Sequence, residues 1–367
     1  MRGTRPPRGG RGQAHHPPED GRAAYARAAE EPAQRRSHRN VLRRAHAHRQ
    51  PPARHRRGGR RRTGALRRAA GIPCRPPGAM GDDAGRRMNA STTVLHFSDL
   101  HFGTEIVAAR DAALLAARRI QPDVIVVSGD ITQRARQREY LAAKTFLDLL
   151  PGRAKLVIPG NHDIPLLNLP ARVLRPYAGY VRTLGAPEGV WNDRMTAVVA
   201  LNTTTPFRHT RGRVPVPAFR AMAEQARKRI GPDGVLIAVI HQPFVTAQPE
   251  DADEVLMNAP EAARLFAELG VDAALSGHVH YPLLRTTLAD FPELPRPFVL
   301  CGAGTTFSHR VRQGAPNSFH AMRVVRGEGA VARIEVTAHV YDTGGRRFAA
   351  GETQVFVRDA GGWQADR

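Results

Sequence analysis

Residues 94–101 read VLHFSDLH, and this stretch decides the fold class. Its first part, Val94–Phe97, is a largely apolar run that predicts a strand, and the polar residues Asp99 and His101 follow at once. The same shape returns four times along the chain: residues 124–130 read VIVVSGD, 156–163 read LVIPGNHD, 235–241 read VLIAVIH and 273–280 read AALSGHVH. The repetition predicts a series of strands that each carry polar groups at the carboxyl end.

Between these strand-like runs, apolar residues recur at helical spacing. This spacing predicts helices over residues 106–119, 136–149, 217–230 and 260–269. A further apolar run predicts a strand over Met195–Leu201. This alternation predicts an α/β fold with a largely parallel, two-faced sheet, in which functional groups collect beyond the carboxyl ends of the strands. After residue 282 the pattern becomes strand-rich, over 283–288, 297–301, 319–326, 330–341 and 353–357. We therefore expect a second, antiparallel sheet.

The polar residues that follow the strands are all of metal-ligand type. They are Asp99, His101, Asp130, Asn161, His241, His278 and His280. Carboxylates suit hard cations and imidazoles suit iron, manganese or zinc, so the mixed set predicts transition metals. Any one of these short motifs occurs by chance in most chains of this length. Their shared position after apolar runs predicts a two-metal hydrolytic site.

The order Asp-x-His, Gly-Asp, Gly-Asn-His-Asp, His and Gly-His-x-His resembles the calcineurin-like metallophosphoesterase superfamily. Within it, the chain is most similar to bacterial class III cyclic nucleotide phosphodiesterases and related glycerophosphodiesterases. The resemblance implies a four-layer αββα sandwich and hydrolysis of phosphate esters by in-line attack of a hydroxide that bridges two metals. It also implies the ligand sets: Asp99, His101 and His280 for one metal, Asn161, His241 and His278 for the other, and Asp130 as the bridge.

His162 follows a ligand directly but has no place in the ligand count. The resemblance implies that it lies near the substrate and acts as a general acid toward the leaving group. Asp163 is expected to orient His162 or another histidine from outside the ligand set. One departure from the family pattern is His241-Gln242-Pro243, where many relatives have His-His-Pro. It leaves the ligand in place and changes a neighbour that could contact the substrate.

Several other residues have competing interpretations. His96 lies inside the first predicted strand, where a satisfied core histidine is the more common role, and Cys301 is expected to be a small buried hydrophobe. The acidic residues of 251–254 favour a solvated loop. The segment 304–310, GTTFSHR, is Gly-rich and favours packing and turn formation, with a role near the substrate or behind the metal ligands as the alternative. His209, His309, His320 and His339 belong to no motif and are expected at the surface or in loops.

The N-terminal segment, residues 1–87, differs in composition from the rest of the chain. It holds 23 arginines, no lysine and 6 acidic residues, so it carries +17 of the formal net charge of +22. It shows no apolar periodicity, which predicts a disordered tail ahead of one domain over residues 88–367. Two interpretations stay open. The tail is either an arm that binds nucleic acid, or a reading of DNA upstream of a true translation start at Met88.

Composition also limits the other function classes. No stretch approaches the ~18 apolar residues of a membrane span, and two cysteines exclude a disulfide framework, so we expect a cytoplasmic protein. The leading hypothesis is a phosphodiesterase for cyclic nucleotides or other small phosphodiesters, with two iron, manganese or zinc ions. The alternatives are a phosphomonoesterase or nuclease of the same fold, a scaffold with a degraded metal site, and a nucleic-acid-binding protein. No ligand position is missing, which disfavours the scaffold, and residues 88–367 carry only +5, which disfavours the nuclease. Neither the metal identity nor the oligomeric state follows from the sequence.

Overall fold

The computed structural model describes residues 91–208, 210–312, 314–326 and 332–366. These ranges contain every predicted metal ligand. The predicted disordered tail, residues 1–87, lies outside the described residues, so the prediction about it remains open.

A first sheet of seven strands contains the start and the end of the domain. Its strands are β1 (Ser91–Phe97), β2 (Val124–Val127), β3 (Ala154–Val157), β10 (Ser318–Arg326), β11 (Ala332–Asp342), β12 (Arg347–Asp359) and β13 (Gly362–Ala365). Their spatial order is β13-β12-β11-β10-β1-β2-β3. β1, β2 and β3 are parallel to one another. The pairings of β1 with β10, β10 with β11, β11 with β12 and β12 with β13 are antiparallel.

A second sheet of six strands carries the middle of the chain. Its strands are β4 (Gly189–Asn192), β5 (Thr196–Ala200), β6 (Val235–Val239), β7 (Ala273–Ser276), β8 (Leu283–Thr286) and β9 (Val299–Gly302). The order is β4-β5-β6-β7-β9-β8, with four parallel inner strands and an antiparallel strand at each edge. The inner strands are buried throughout, as expected of parallel strands covered on both faces.

Helices cover the outer face of each sheet. They are α1 (Val107–Ile120), α2 (Gln137–Leu149), α3 (Leu169–Leu174), α4 (Ala178–Leu184), α5 (Val216–Ile230) and α6 (Ala259–Glu268). α1, α2 and α4 pack on the first sheet, and α5 and α6 pack on the second, where the rings of Phe219 and Phe266 stack 4.2 Å apart. A third apolar cluster fills the space between the sheets. The four-layer αββα sandwich expected from the sequence is thus confirmed.

The arrangement of the strands corrects one expectation. The late strands do not form a separate antiparallel sheet. β8 and β9 join the second sheet, whereas β10 pairs beside β1 and extends the first sheet through β13. The parallel strands are instead divided between the two sheets. Strand spacing along the chain shows where strands lie but does not show which edge they join, so this pairing could not be read from the pattern.

Among the residues that the structure describes, no helix is both long and apolar enough to cross a membrane.

Candidate metal centre

The predicted ligands lie on loops that leave the carboxyl ends of parallel strands from both sheets. Backbone hydrogen bonds continue beyond the strand ends and hold these loops side by side. The amide of Asp99 donates to the carbonyl of Gly129 (3.1 Å), and the amide of His101 donates to that of Asp130 (2.9 Å). In the second sheet, the amide of Gly277 donates to the carbonyl of His241 (3.0 Å). The two sheets therefore present their ligand loops at one shared edge.

The backbone of these loops is unusual. Five of the seven predicted ligands have a positive φ: Asp99 (51°), His101 (44°), Asp130 (51°), His278 (77°) and His280 (58°). Few non-glycine residues adopt this left-handed conformation, which costs about 1–3 kcal/mol where it is strained. Its concentration at one edge of the fold indicates that ligand placement overrides local backbone preference.

Four ligands form a first group. Nε2 of His280 lies 3.2 Å from Oδ1 of Asp99 and 3.0 Å from Nε2 of His101. Nε2 of His101 lies 3.7 Å from Oδ2 of Asp130. All four side chains are buried, and their ligand atoms fall within 4.8 Å of one another.

A second group shares Asp130 with the first. Oδ1 of Asp130 lies 3.4 Å from Nε2 of His241, and that nitrogen lies 3.1 Å from Oδ1 of Asn161. A ring nitrogen of His278 completes the group within 4.8 Å. Asp130 thus directs one carboxylate oxygen toward each group. The structure brings all seven predicted ligands together in the division that the family resemblance implies.

The donor set fits a pair of metal ions. Nδ1 of His280 lies 2.6 Å from the carbonyl of Arg310, and Nδ1 of His241 lies 2.8 Å from that of Ser128. A carbonyl only accepts, so each Nδ1 carries a proton, and a neutral ring then has its lone pair on the Nε2 that faces the group. Oδ1 of Asp99 is buried and accepts no hydrogen bond from any described residue. A bound cation would satisfy these buried lone pairs, which point toward one another and receive no hydrogen bond.

The electrostatics of the groups agree with this fit except at His280. Burial would lower the pKa of His280, but the facing carboxylate of Asp99 raises it. Burial lowers the pKa of both His101 and His241, which keeps their imidazoles neutral and able to bind a metal. Burial alone would raise the pKa of Asp130, but the surrounding imidazoles, His241 first, lower it to about 2. Burial opposes ionisation of Asp99 in the same way, yet the facing His280 holds the pKa of Asp99 well below its ordinary value. The carboxylates are therefore ionised at neutral pH.

Two glycines are required by the close approach of the ligand loops. A Cβ added to Gly160 would overlap the carboxylate of Asp130 and the ring of His241. A Cβ added to Gly277 would overlap the side chains of Ser98 and Asp99. Any larger residue at either position would displace a ligand.

His162 lies beside the first group, as predicted. Its ring meets the ring of His101 edge to face, with 4.9 Å between centroids. Its Nδ1 lies 2.9 Å from the carbonyl of Gln133, and its backbone amide donates to Oδ1 of Asp130 (2.8 Å). The orientation of His162 thus comes from a backbone carbonyl.

The carboxylate of Asp163, which was expected to orient His162 or another histidine, contacts the backbone of the neighbouring ligand loops. It accepts from the amides of Ile131 (2.9 Å), Thr132 (2.8 Å) and Gly160 (2.9 Å), and from Oγ1 of Thr132 (2.8 Å). Burial and the charge of Asp130 raise the pKa of Asp163 to about 7, and these donors oppose that shift. Asp163 therefore fastens the loop that carries Asp130 to the loop that carries Asn161.

The acidic stretch at 251–254 is a solvated loop only in part, because Asp253 is exposed as expected whereas Asp251 and Glu254 make specific contacts. Oε2 of Glu254 lies 3.0 Å from Nε2 of His278, and the hydrogen bond lowers the pKa of Glu254. Asp251 is buried and accepts from Nη2 of Arg312 at 2.6 Å. Sequence reasoning missed Glu254 because its contact spans 24 residues and has no local spacing signal. With Nε2 held by Glu254, Nδ1 is the nitrogen of His278 left for a metal.

The Gly-rich segment 304–310 packs under the first group. Oγ1 of Thr305 donates to the carbonyl of Asp99 (2.5 Å), and Oγ1 of Thr306 donates to that of Ser98 (2.9 Å). The bonds of Thr305 and Thr306 support the packing interpretation. The carbonyl of Arg310, which lies against Nδ1 of His280, supports the alternative that the segment holds a metal ligand in place. Gln242 is likewise buried, between Oγ1 of Thr203 (2.8 Å) and the carbonyl of Thr210 (2.9 Å), so its side chain stabilises a loop.

A separate group of His96, Cys301 and His320 lies in the core between the sheets. Burial raises the pKa of Cys301 to about 12 and lowers those of His96 and His320 to about 3 and about 4. All three are then neutral, so their burial places no charge in this part of the core. His96 and Cys301 are buried as expected, although Nδ1 of His96 has no hydrogen-bond partner among the described residues. His320 is buried on β10, so the expectation of a surface or loop position was wrong for it, whereas His339 is half-buried on β11 and His209 lies outside the described residues.

Solved structures with a similar fold include two phosphatases. A purple acid phosphatase from seeds of yellow lupin (Lupinus luteus) is 11% identical with a TM-score of 0.49, and the match covers 72% of this chain and 53% of that one. This chain thus spans about half the length of the lupin protein. A dimetal phosphatase from Danio rerio is 12% identical with a TM-score of 0.47, covering 71% of this chain and 98% of that one.

No curated protein matches the chain. The sequence model of one family does match, over residues 92–282, which is just over half of the 367 residues and contains all seven ligands, His162 and Asp163. The chain belongs to the calcineurin-like phosphoesterase family.

Proposed function

We propose that the protein is a phosphodiesterase that depends on two metal ions and hydrolyses cyclic nucleotides or other small phosphodiesters. Family membership and the converging ligand groups support metal-dependent hydrolysis of phosphate esters. The choice of diesters, and of cyclic nucleotides among them, comes from the resemblance of the motifs to class III cyclic nucleotide phosphodiesterases.

The observation that carries the proposal is the position of Asp130. Its two carboxylate oxygens face different ligand groups, toward His241 and toward His101. A carboxylate shared in this way suits two ions held close together, as in the two-metal sites of phosphatases and nucleases. Bound there, the ions would supply an activated water at neutral pH and neutralise the phosphoryl oxygens.

The residues of the chain then divide the work by position. Asp99, His101 and His280 would hold one ion, Asn161, His241 and His278 the other, and Asp130 both. Iron, manganese or zinc suits this mixture of carboxylate, amide and imidazole donors. Backbone carbonyls fix the rings of His241 and His280, and Glu254 fixes that of His278, so that these three rings need little reorganisation on binding.

His162 is the proposed general acid. It lies beside the first group without joining it, and the carbonyl of Gln133 orients its Nδ1. The ring can present Nε2 to the leaving oxygen of a bound ester. Proton transfer to that oxygen would assist departure of an alkoxide or ribose hydroxyl.

The experiment that tests the proposal is a substrate panel. The protein is loaded with Mn²⁺, Zn²⁺ or Fe²⁺ and supplied with a bis-aryl phosphate, an aryl phosphate and cyclic AMP. We expect hydrolysis of the two diesters to exceed that of the monoester. Preferential hydrolysis of the aryl phosphate would favour the phosphomonoesterase alternative.

Two further expectations stay proposals. The low cysteine content supports a cytoplasmic location. A role for nucleic acid is confined to residues 1–87, because the domain from residue 88 carries little of the positive charge.

A further inference from the structure

We propose that the buried His96 is a positioning residue for the ligand Asp99 and acts through a hydrogen-bond relay of two serines. The relay runs His96–Ser128–Ser98–Asp99. This inference rests on the proposed function, since it concerns one ligand of that metal centre.

Each link of the relay is short and buried. Nε2 of His96 lies 2.9 Å from Oγ of Ser128, and that hydroxyl lies 2.7 Å from Oγ of Ser98. Oγ of Ser98 lies 2.6 Å from Oδ2 of Asp99. All four residues have no solvent exposure, so water does not compete for any of the bonds.

Proton counting fixes the direction of every bond. The ionised carboxylate of Asp99 can only accept, so Ser98 donates to it. A hydroxyl has one proton, so Ser98 must accept from Ser128, and Ser128 must accept from His96. The proton of His96 therefore resides on Nε2. A side chain at position 96 without a donor there would leave Ser128 with one bond fewer.

The relay decides which oxygen of Asp99 is free for a metal. Oδ2 accepts from Ser98 and also from the backbone amide of His278 (3.0 Å). Oδ1 accepts from no described residue and faces Nε2 of His280 at 3.2 Å. The two hydrogen bonds to Oδ2 fix the orientation of the Asp99 carboxylate, and Oδ1 then points toward the other ligands of the first group. Partners of this kind commonly change metal affinity 10–100-fold when they are removed.

The chain provides a matched control for His96. His320 lies directly opposite His96 in the β1–β10 pairing and is equally buried. Its Nδ1 contacts Sγ of Cys301 at 3.3 Å instead of joining the relay. Replacing either histidine by methionine removes one imidazole from the same layer of the core, so a purely structural effect should be shared by both variants.

The test measures Mn²⁺ binding to the metal-free full-length protein by calorimetry, with apo melting temperatures as the structural readout. For His96→Met we expect ~10–100-fold weaker binding at one of the two sites and little change at the other. For His96→Gln, whose amide can donate from a similar position, we expect recovery to within about threefold of wild type. His320→Met should also bind within about threefold of wild type.

The possible results distinguish a failure of the proposed relay from a failure of the proposed function. Unchanged affinity in His96→Met, or an equal loss in His320→Met, would overturn the relay. If His96→Met does not fold, Ser128→Ala interrupts the same relay with a smaller change, and wild-type affinity in that variant would overturn it as well. A wild-type protein that binds fewer than two ions would instead refute the proposed function, on which the relay depends.

Discussion

Replacing Asp130 by alanine is the most informative single substitution in the candidate metal centre. It removes Oδ1, which lies 3.4 Å from Nε2 of His241 and accepts the amide of His162, and Oδ2, which lies 3.7 Å from Nε2 of His101. The first ligand group keeps the carboxylate of Asp99. The second group loses its carboxylate and keeps only the neutral donors of Asn161, His241 and His278, so we expect its ion to be lost first.

The magnitude follows from this double role. Removing a residue that only orients a ligand commonly costs ~10–100-fold in affinity or activity. Asp130 faces both groups directly, so we expect kcat/KM to fall by at least ~10³-fold, which corresponds to about 4 kcal/mol of transition-state stabilisation. Asp130→Asn, which keeps one neutral oxygen, should retain more metal than Asp130→Ala.

The assay combines hydrolysis of a bis-aryl phosphate under saturating Mn²⁺ with metal content per chain. Asp148→Ala is a suitable control, because Asp148 is exposed on α2 and pairs only with Lys144 at 2.9 Å among its described contacts. That variant should retain wild-type activity and both ions. Near-normal turnover of Asp130→Ala with two ions retained would refute the assignment of Asp130 as the shared ligand.

Three other predictions address the rest of the domain. His162→Ala should keep both ions and slow hydrolysis by ~10²–10⁴-fold, with a smaller loss for esters with good leaving groups; a fall in metal content would show that His162 is a ligand. Gly160→Ala should lower activity by at least ~10²-fold because ligands must shift, whereas Gly344→Ala, where there is room for a Cβ, should not; equal activities would contradict the close approach. Protein that begins at Met88 should melt and turn over small diesters as the full-length chain does, since β1 begins at Ser91; a melting temperature lower by several degrees would show that residues 1–87 stabilise the domain.

The ligands could be predicted from sequence because their signal is local. Asp130 and His241 each follow an apolar strand within a few residues, and parallel strands align their carboxyl ends. The left-handed backbone at Asp99 and His278 has no such signal, because glycine would be the usual choice there. This backbone conformation emerged only from the structure.

The parts that could not be predicted depend on contacts between distant segments. Glu254 reaches His278 from a separate loop, and its acidic neighbours made it resemble a solvated residue. The relay from His96 needs the pairing of β1 with β2 to bring Ser128 beside it. Likewise, only the pairing of β10 with β1 shows that the four strands from β10 to β13 extend the first sheet.

The central claim is that two ions held by these seven residues make the protein a phosphoesterase, and a metal titration tests it most directly. Protein freed of metal with a chelator is titrated with Mn²⁺ while bound ions and hydrolysis of a bis-aryl phosphate are followed together. We predict that the metal-free protein is inactive, that two ions bind per chain, and that activity rises as the second ion binds. Hydrolysis at full rate without metal, or saturation at a single ion per chain, would contradict the claim.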